Sequence, residues 1–316
     1  MRALVLRDIG DIGVDEVPSP AKRDGEVILS VRACGICGSD IPRAFKTGAH
    51  RMPLIIGHEF CGEADGKRYG VYPLIPCGCC EPCKKGWFEM CKSYDYLGSR
   101  RDGGFAEQVS VPEKNLIELP DEVSFSQAAM LEPMAVAVHA MKRAMASRHD
   151  GRIGSAVIIG AGTIGRLLSM FLSDAGVGDV QFCDSRVSGD EERVMSHFSG
   201  MGADAVFECV GREESYGLAL RLAGSAGVVV LVGNPYGDMT AARDDYWRIL
   251  RQQLTVIGTW NSSFRDDWEY ALRRVADGAV HPEALITHRF ELSDIVSGFY
   301  IMRDKSEKYC KIMCEL

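Results

Sequence analysis

The stretch Gly160-Ala161-Gly162-Thr163-Ile164-Gly165 restricts the fold of this chain more than any other. A short β-branched run, Ala156 to Ile159, precedes it. Ile164, Leu167, Leu168, Phe171 and Leu172 follow at helical spacing, and Val180 to Cys183 forms a second strand-like run. Strand, glycine turn, helix and strand make a βαβ unit. The glycines permit a tight turn and let the backbone approach a pyrophosphate, whose charge the helix N-terminus favours. Asp184 ends the second run, where a carboxylate can accept both ribose hydroxyls and repels a 2′-phosphate. The pattern therefore predicts NAD rather than NADP, although Arg186, two residues on, leaves room for NADP. A glycine turn with a chance acid is the weaker reading, because all the parts stand in register.

Further apolar runs at Ala205 to Cys209, Val228 to Val232 and Leu254 to Ile257 lie far enough apart for intervening helices, so a parallel sheet ending near Trp260 is expected. Val232, at the end of one such run, joins the cofactor candidates. The first third of the chain differs. Val27, Leu29 and Val31 alternate with Ile28, Ser30 and Arg32, and Pro and Gly recur to about residue 112, which reads as β-rich with many turns. A cap at Ser124 or Ser126 and the Ala- and Met-rich stretch from Ala128 to Met145 predict helices leading out of that region, with Pro133 breaking or starting one. The tail, with a helix over Asp266 to Ala276 and a strand over Ile286 to Phe290, is too short to fold alone and is expected to complete the first domain.

Cys77, Cys80, Cys83 and Cys91 follow the form C-x2-C-x2-C-x7-C, which lets four thiolates reach tetrahedral positions around a zinc ion. Five of the twelve cysteines fall between Cys77 and Cys91, and that clustering favours metal binding over a disulfide framework in a reducing compartment. Four thiolates fill the coordination sphere, so this zinc would be structural. An iron–sulfur cluster would use other spacings, and Cys79 is left over. A second set is looser. Cys37, His58 and Glu132 could supply three ligands and leave one position open, as a catalytic zinc requires. Taken singly, each has an ordinary alternative: a small buried residue, a hydrogen-bonded turn histidine, a surface acid near a helix start. Cys34-Gly-Ile-Cys37 also permits a thioredoxin-like reading, but the expected βαβ context is absent there.

The 316 residues suffice for about two domains, and the 46% hydrophobic content can fill two cores. A net charge of -8 opposes general affinity for nucleic acid or anionic membrane. The apolar run at the N-terminus is too short for a signal peptide, and no segment reaches the roughly 18 apolar residues that span a bilayer. A cytoplasmic protein is expected.

Cys37-Gly-Ser39-Asp40, Gly57-His58-Glu59, the four-cysteine lobe, Asp102-Gly-Gly-Phe-Ala-Glu107, Glu132-Pro133 and the glycine loop together resemble the zinc-dependent medium-chain alcohol dehydrogenase family from end to end. The stretches Ser39 to His50 and Tyr94 to Gly104 are most similar to its polyol branch. That resemblance implies an α/β chain with a GroES-like β-rich catalytic domain (1–134 and 263–316) and a Rossmann NAD-binding domain (135–262) built on a doubly wound parallel sheet. It implies two zinc ions per chain, the catalytic one on Cys37, His58 and Glu132, with Glu59 beside it and able to exchange with a ligand or water. Asp40 would orient His58, and Ser39 would take the proton of the alcohol as hydride passes to the nicotinamide. Pro42 stands where the liver-type branch continues the proton relay with a histidine.

The implied substrate is a secondary alcohol of a polyol, in particular a polyol phosphate such as galactitol 1-phosphate, with Arg43, Lys46, Arg100 and Arg101 as candidate phosphate ligands. Rival readings are a free-alcohol enzyme of the sorbitol or butanediol type and a non-catalytic NAD- and zinc-binding scaffold. The family forms dimers and tetramers, so a homodimer or homotetramer is expected. Two segments are shorter than the family pattern: Ala64 to Val71, and the stretch between Asp184 and Phe207. The second has space for one helix only, which predicts that an edge strand of the sheet is missing or vestigial.

Overall fold

The computed structural model describes residues 1–148 and 151–316, and these fall into two compact units, Met1–Pro133 with Ser263–Leu316, and Met134–Ser262. Among the described residues no helix is long and apolar enough to cross a membrane.

The first unit centres on a seven-stranded sheet. Leu116–Glu118, Lys67–Val71, Glu59–Ala64, Glu26–Ile36, Lys311–Glu315 and Ile286–Glu291 lie side by side in that order, and Gln108–Pro112 pairs with the first half of Glu26–Ile36. The long strand Glu26–Ile36 therefore meets the C-terminal strand Lys311–Glu315 and the strand opening at Glu59 on opposite edges. A smaller sheet of Asp11–Glu16, Arg2–Asp8 and Leu54–Ile55 adjoins it. Leu29, Val31, Ile36, Phe60, Phe105, Phe299 and Ile312 are buried in one shared core. The shortened segment after Glu63 closes as a two-residue hairpin: Ala64 pairs with Lys67, and Asp65 and Gly66 have φ of 50° and 74°. Positive φ at both turn residues matches the right-handed twist of the strands.

Ser124 caps the way out of this region. Its side chain accepts from Gln127 N and the Gln127 side chain accepts from Ser124 N, closing a capping box. The expected helices follow as Phe125–Ala128 and Leu131–Ala146. Pro133 falls in the first turn of the second helix, where its missing N–H costs no internal bond.

The second unit is a parallel sheet of five strands in the order Asp179–Cys183, Ser155–Ile159, Ala203–Glu208, Ala223–Leu231, Thr255–Gly258. Val157, Ile158, Val206, Val229 and Val230 are fully buried, as continuous apolar runs in such a sheet should be. Between Cys183 and Ala203 the chain forms a single helix, Asp190–His197, so no sixth strand flanks Asp179–Cys183 among the described residues. The expected loss of an edge strand is what the sheet shows.

Candidate metal and nucleotide sites

The strand Glu26–Ile36 delivers Cys37 to a turn that the Asp40 side chain closes, with Asp40 Oδ2 accepting from Cys37 N at 3.0 Å. His58 enters from the other side, one residue before the strand Glu59–Ala64. Its approach depends on glycine. Gly57 has φ of +101°, and a Cβ there would lie 2.5 Å from the Phe105 ring, while a Cβ on Gly103 would lie 2.1 Å from the Gly57 carbonyl oxygen. Donor atoms of Cys37, His58 and Glu59 come within 4.8 Å of one another. Ser39 Oγ donates to Cys37 Sγ at 3.3 Å.

Glu132, in the first turn of Leu131–Ala146, lies outside that group of three but beside it. Tyr96 Oη donates to Glu132 Oε1 at 3.3 Å, and the Tyr96 ring meets the His58 ring edge-on at 5.8 Å. Burial pushes the Glu132 carboxyl up to about 7, with Glu59 adding to the rise and His58 and Lys311 opposing it.

Two buried ion pairs back the group. Asp40, fully buried, accepts from Arg43 and faces His58, whose Nδ1 lies 3.4 Å from Asp40 Oδ1 but off the line of a hydrogen bond. Burial disfavours a charged imidazole at His58, yet Asp40 and Cys37 outweigh it and raise the group well above its usual range. An environment that holds a positive charge there also suits a metal cation. Glu59 Oε2 accepts from the Lys311 ammonium, which also donates to Ile36 O at 3.1 Å, and the side chains are 3% and 2% exposed. Burial opposes charge on Lys311, but Glu59 and Cys37 raise it. One thiol, one imidazole and nearby carboxylates, with a carboxylate behind the imidazole, are a donor set that fits zinc.

Neither Lys311 nor Tyr96 was assigned from the sequence. A lysine inside the apolar run that ends the chain, and a tyrosine pair around Asp95, were the available signals.

The four-cysteine lobe is compact. Cys80 and Cys83 Sγ are 3.4 Å apart, Cys77 and Cys83 3.9 Å, Cys80 and Cys91 3.9 Å, and Cys77 N donates to Cys91 Sγ at 3.3 Å. The backbone amides of Cys79 and Cys80 pull the Cys77 thiol down to about 6, which favours the thiolate a metal needs. Four sulfurs at these separations fit a tetrahedral zinc.

In the second unit the glycine loop joins Ser155–Ile159 to the helix Thr163–Asp174, which begins with Thr163, Ile164 and Gly165. Gly160 has φ of +99°, and a Cβ on Gly165 would lie 2.1 Å from Gly160 O, whereas Gly162 has nothing within 4 Å. The open face at Gly162 is where a backbone can receive a phosphate. Asp184 follows Asp179–Cys183, and both its oxygens accept from Arg186, at 2.9 Å from Nε and 2.7 Å from Nη2. That contact lowers the Asp184 carboxyl. Val232 N donates to Glu208 O at 2.9 Å, just past the fourth strand of the sheet.

The four basic candidates separate. Arg43 is bound to Asp40, Lys46 is exposed, Arg100 lies over the Tyr94 ring at 4.7 Å, and Arg101 donates to both oxygens of buried Glu26 at 2.8 and 3.0 Å. Arg51 Nε donates to Arg100 O at 3.1 Å, which brings the His50–Arg51 segment beside Arg100. Burial and then the charges of Arg100 and Arg43 lower the His50 imidazole.

Residues 23–121 match the alcohol dehydrogenase GroES-like domain family and residues 177–277 the zinc-binding dehydrogenase family. The galactitol 1-phosphate 5-dehydrogenase of Escherichia coli K12 is 32% identical, with 92% of each chain covered. Sorbitol dehydrogenase 1 of Saccharomyces cerevisiae is 28% identical, with 94% of this chain and 93% of the relative covered. The crystal structure of galactitol-1-phosphate dehydrogenase from Escherichia coli superposes with a TM-score of 0.89 at 30% identity, covering all of both chains. This chain belongs to the zinc-dependent medium-chain alcohol and polyol dehydrogenases, a family of oxidoreductases.

Proposed function

We propose that the chain oxidises a secondary alcohol of a polyol phosphate of the galactitol 1-phosphate kind to the ketone, with NAD as hydride acceptor. The observation that carries this reading is the meeting of Cys37, His58 and Glu59 within 4.8 Å, with Glu132 alongside, in a chain 32% identical to a galactitol 1-phosphate 5-dehydrogenase. Cys37, His58 and Glu132 would hold the catalytic zinc, and Cys77, Cys80, Cys83 and Cys91 a structural one. When bound, the catalytic zinc would supply Lewis-acid polarisation of the alcohol oxygen, and the nicotinamide would supply the hydride acceptor.

The remaining steps fall to side chains of this chain. Asp40 fixes the ring of His58 and the turn at Cys37. Lys311 holds Glu59 in reserve as an exchangeable carboxylate. Ser39 Oγ, beside Cys37 Sγ, would take the proton of the alcohol, and Pro42 offers no side-chain group to pass it on. In the unit Met134–Ser262, Gly160, Gly162, Thr163, Ile164 and Gly165 would bind the pyrophosphate. Asp184 would bind the adenosine ribose, with Arg186 and Val232 beside the cofactor. The working form is a cytoplasmic homodimer or homotetramer.

Phosphate recognition falls to Arg43, Lys46 and Arg100, and the charges of Arg100 and Arg43 both reach His50. Arg101, spent on Glu26, is the weakest of the four candidates. That engagement, with the binding of Arg43 to Asp40, is also the observation that favours a second reading, a free-polyol enzyme of the sorbitol or butanediol type. Turnover of galactitol 1-phosphate, sorbitol and butanediol with NAD and NADP decides between them. Faster turnover of either free alcohol than of the phosphate would overturn the first reading.

A further inference from the structure

The metal lobe carries a fifth sulfur that four-coordinate zinc does not use. Cys79 is exposed, and its Sγ lies 3.6 Å from Cys77 Sγ. The intervening Gly78 has φ of +73° and nothing within 4 Å of a notional Cβ, so no packing at Gly78 opposes a closer approach of the two sulfurs. Closing a disulfide requires a sulfur separation of about 2.05 Å, so the pair must draw together by roughly 1.5 Å.

We propose that Cys79 is an oxidant-sensitive thiol that forms a disulfide with Cys77 and so releases the lobe's metal. The oxidant class is a hydroperoxide. Cys79 sulfur attacks one peroxide oxygen, the O–O bond breaks, an S–O bond forms, and the departing oxygen leaves as water once protonated. Cys77 sulfur then attacks Cys79 sulfur, the S–S bond forms, the S–O bond breaks, and the second oxygen leaves as water. With hydrogen peroxide, two thiols give one disulfide and two waters. Cys77 is thereby withdrawn as a ligand, and three sulfurs remain where zinc needs four. This inference rests on the reading that Cys77, Cys80, Cys83 and Cys91 hold zinc.

The test uses the purified full chain and its Cys79→Ser variant, each assayed for zinc before treatment with hydrogen peroxide. Zinc release into a chromophoric chelator and peptide mapping of disulfides are followed together. The expected result is loss of one zinc per chain in step with a Cys77–Cys79 disulfide, severalfold slower release from Cys79→Ser, and recovery on adding a dithiol reductant with zinc. Release from Cys79→Ser at the rate of the unaltered chain overturns the proposal, as does a disulfide mapped to other pairs. A lobe that holds no zinc before oxidation overturns instead the reading on which it rests.

Discussion

Lys311, the first residue of the C-terminal strand, donates to the carboxylate of Glu59, the residue after the candidate ligand His58, with both side chains closed off from water. The pair ties the end of the chain to the candidate catalytic site across the long strand Glu26–Ile36, on whose two edges the partners sit. A Cβ on Gly35, opposite Glu59 in register, would lie 2.4 Å from Glu59 Oε2, so any side chain there would displace that carboxylate.

Replacing Lys311 by Met leaves a buried carboxylate without its partner, which costs about 3–5 kcal/mol. Urea denaturation should show that loss. The double variant Lys311→Met with Glu59→Gln should recover a large part of it, since the uncompensated charge is then gone. A Lys311→Met chain as stable as the unaltered one would mean that Glu59 is protonated or solvated after all.

Arg101 yields a test of structure against function. Burial opposes charge on Glu26, but bonds from Ser110 and Arg101 outweigh it and hold the carboxyl below its ordinary value. A carboxylate lowered in the folded state contributes stability that is present above the unfolded-state value and lost as pH falls through the folded one. In Arg101→Met the fall in stability across that acid window should be shallower, and stability at neutral pH lower by about 3 kcal/mol. Preference for phosphorylated over free polyol should stay unchanged, measured as a ratio of kcat/KM. A collapse of that preference would place Arg101 at the substrate.

Charge reversal of Lys46, or Arg100→Glu, should by contrast lower kcat/KM for galactitol 1-phosphate by about tenfold or more, one lost charge-assisted contact being worth roughly 1.5–3 kcal/mol. Sorbitol turnover should change little. Equal losses for both substrates would mean that these side chains act through the site's architecture and not through the phosphate.

The parallel sheet was legible in the sequence because its buried strands are unbroken apolar runs such as Val228 to Val230, and the helix Asp266–Ala276 because acids at Asp266 and Asp267 precede apolar residues at helical spacing. The missing edge strand could be expected because the chain between Cys183 and Ala203 has room for one helix alone. What a motif could not convey was which side chains meet. Glu59 and Lys311 are 252 residues apart, and nothing local to either names the other. Pro133 signalled the start of a helix, but the place of the break between Phe125–Ala128 and Leu131–Ala146 was hidden, because Gln127 to Glu132 all favour helix. Nor could spacing separate Arg100, lying on Tyr94, from its neighbour Arg101, turned to Glu26.

Asp184 can accept ribose hydroxyls only with oxygens that Arg186 now engages. That pair is exposed and therefore cheap to break, at about 1 kcal/mol or less, so NAD can compete with it. Asp184→Ala should raise KM for NAD by about tenfold, the loss of one bidentate contact, and should improve NADP by removing the charge that repels its phosphate. Arg186→Ala should leave NAD use close to unchanged and weaken whatever NADP use exists. Steady-state rates with both cofactors check this, and a chain whose Asp184→Ala form keeps its full preference for NAD would move the determinant elsewhere in the loop.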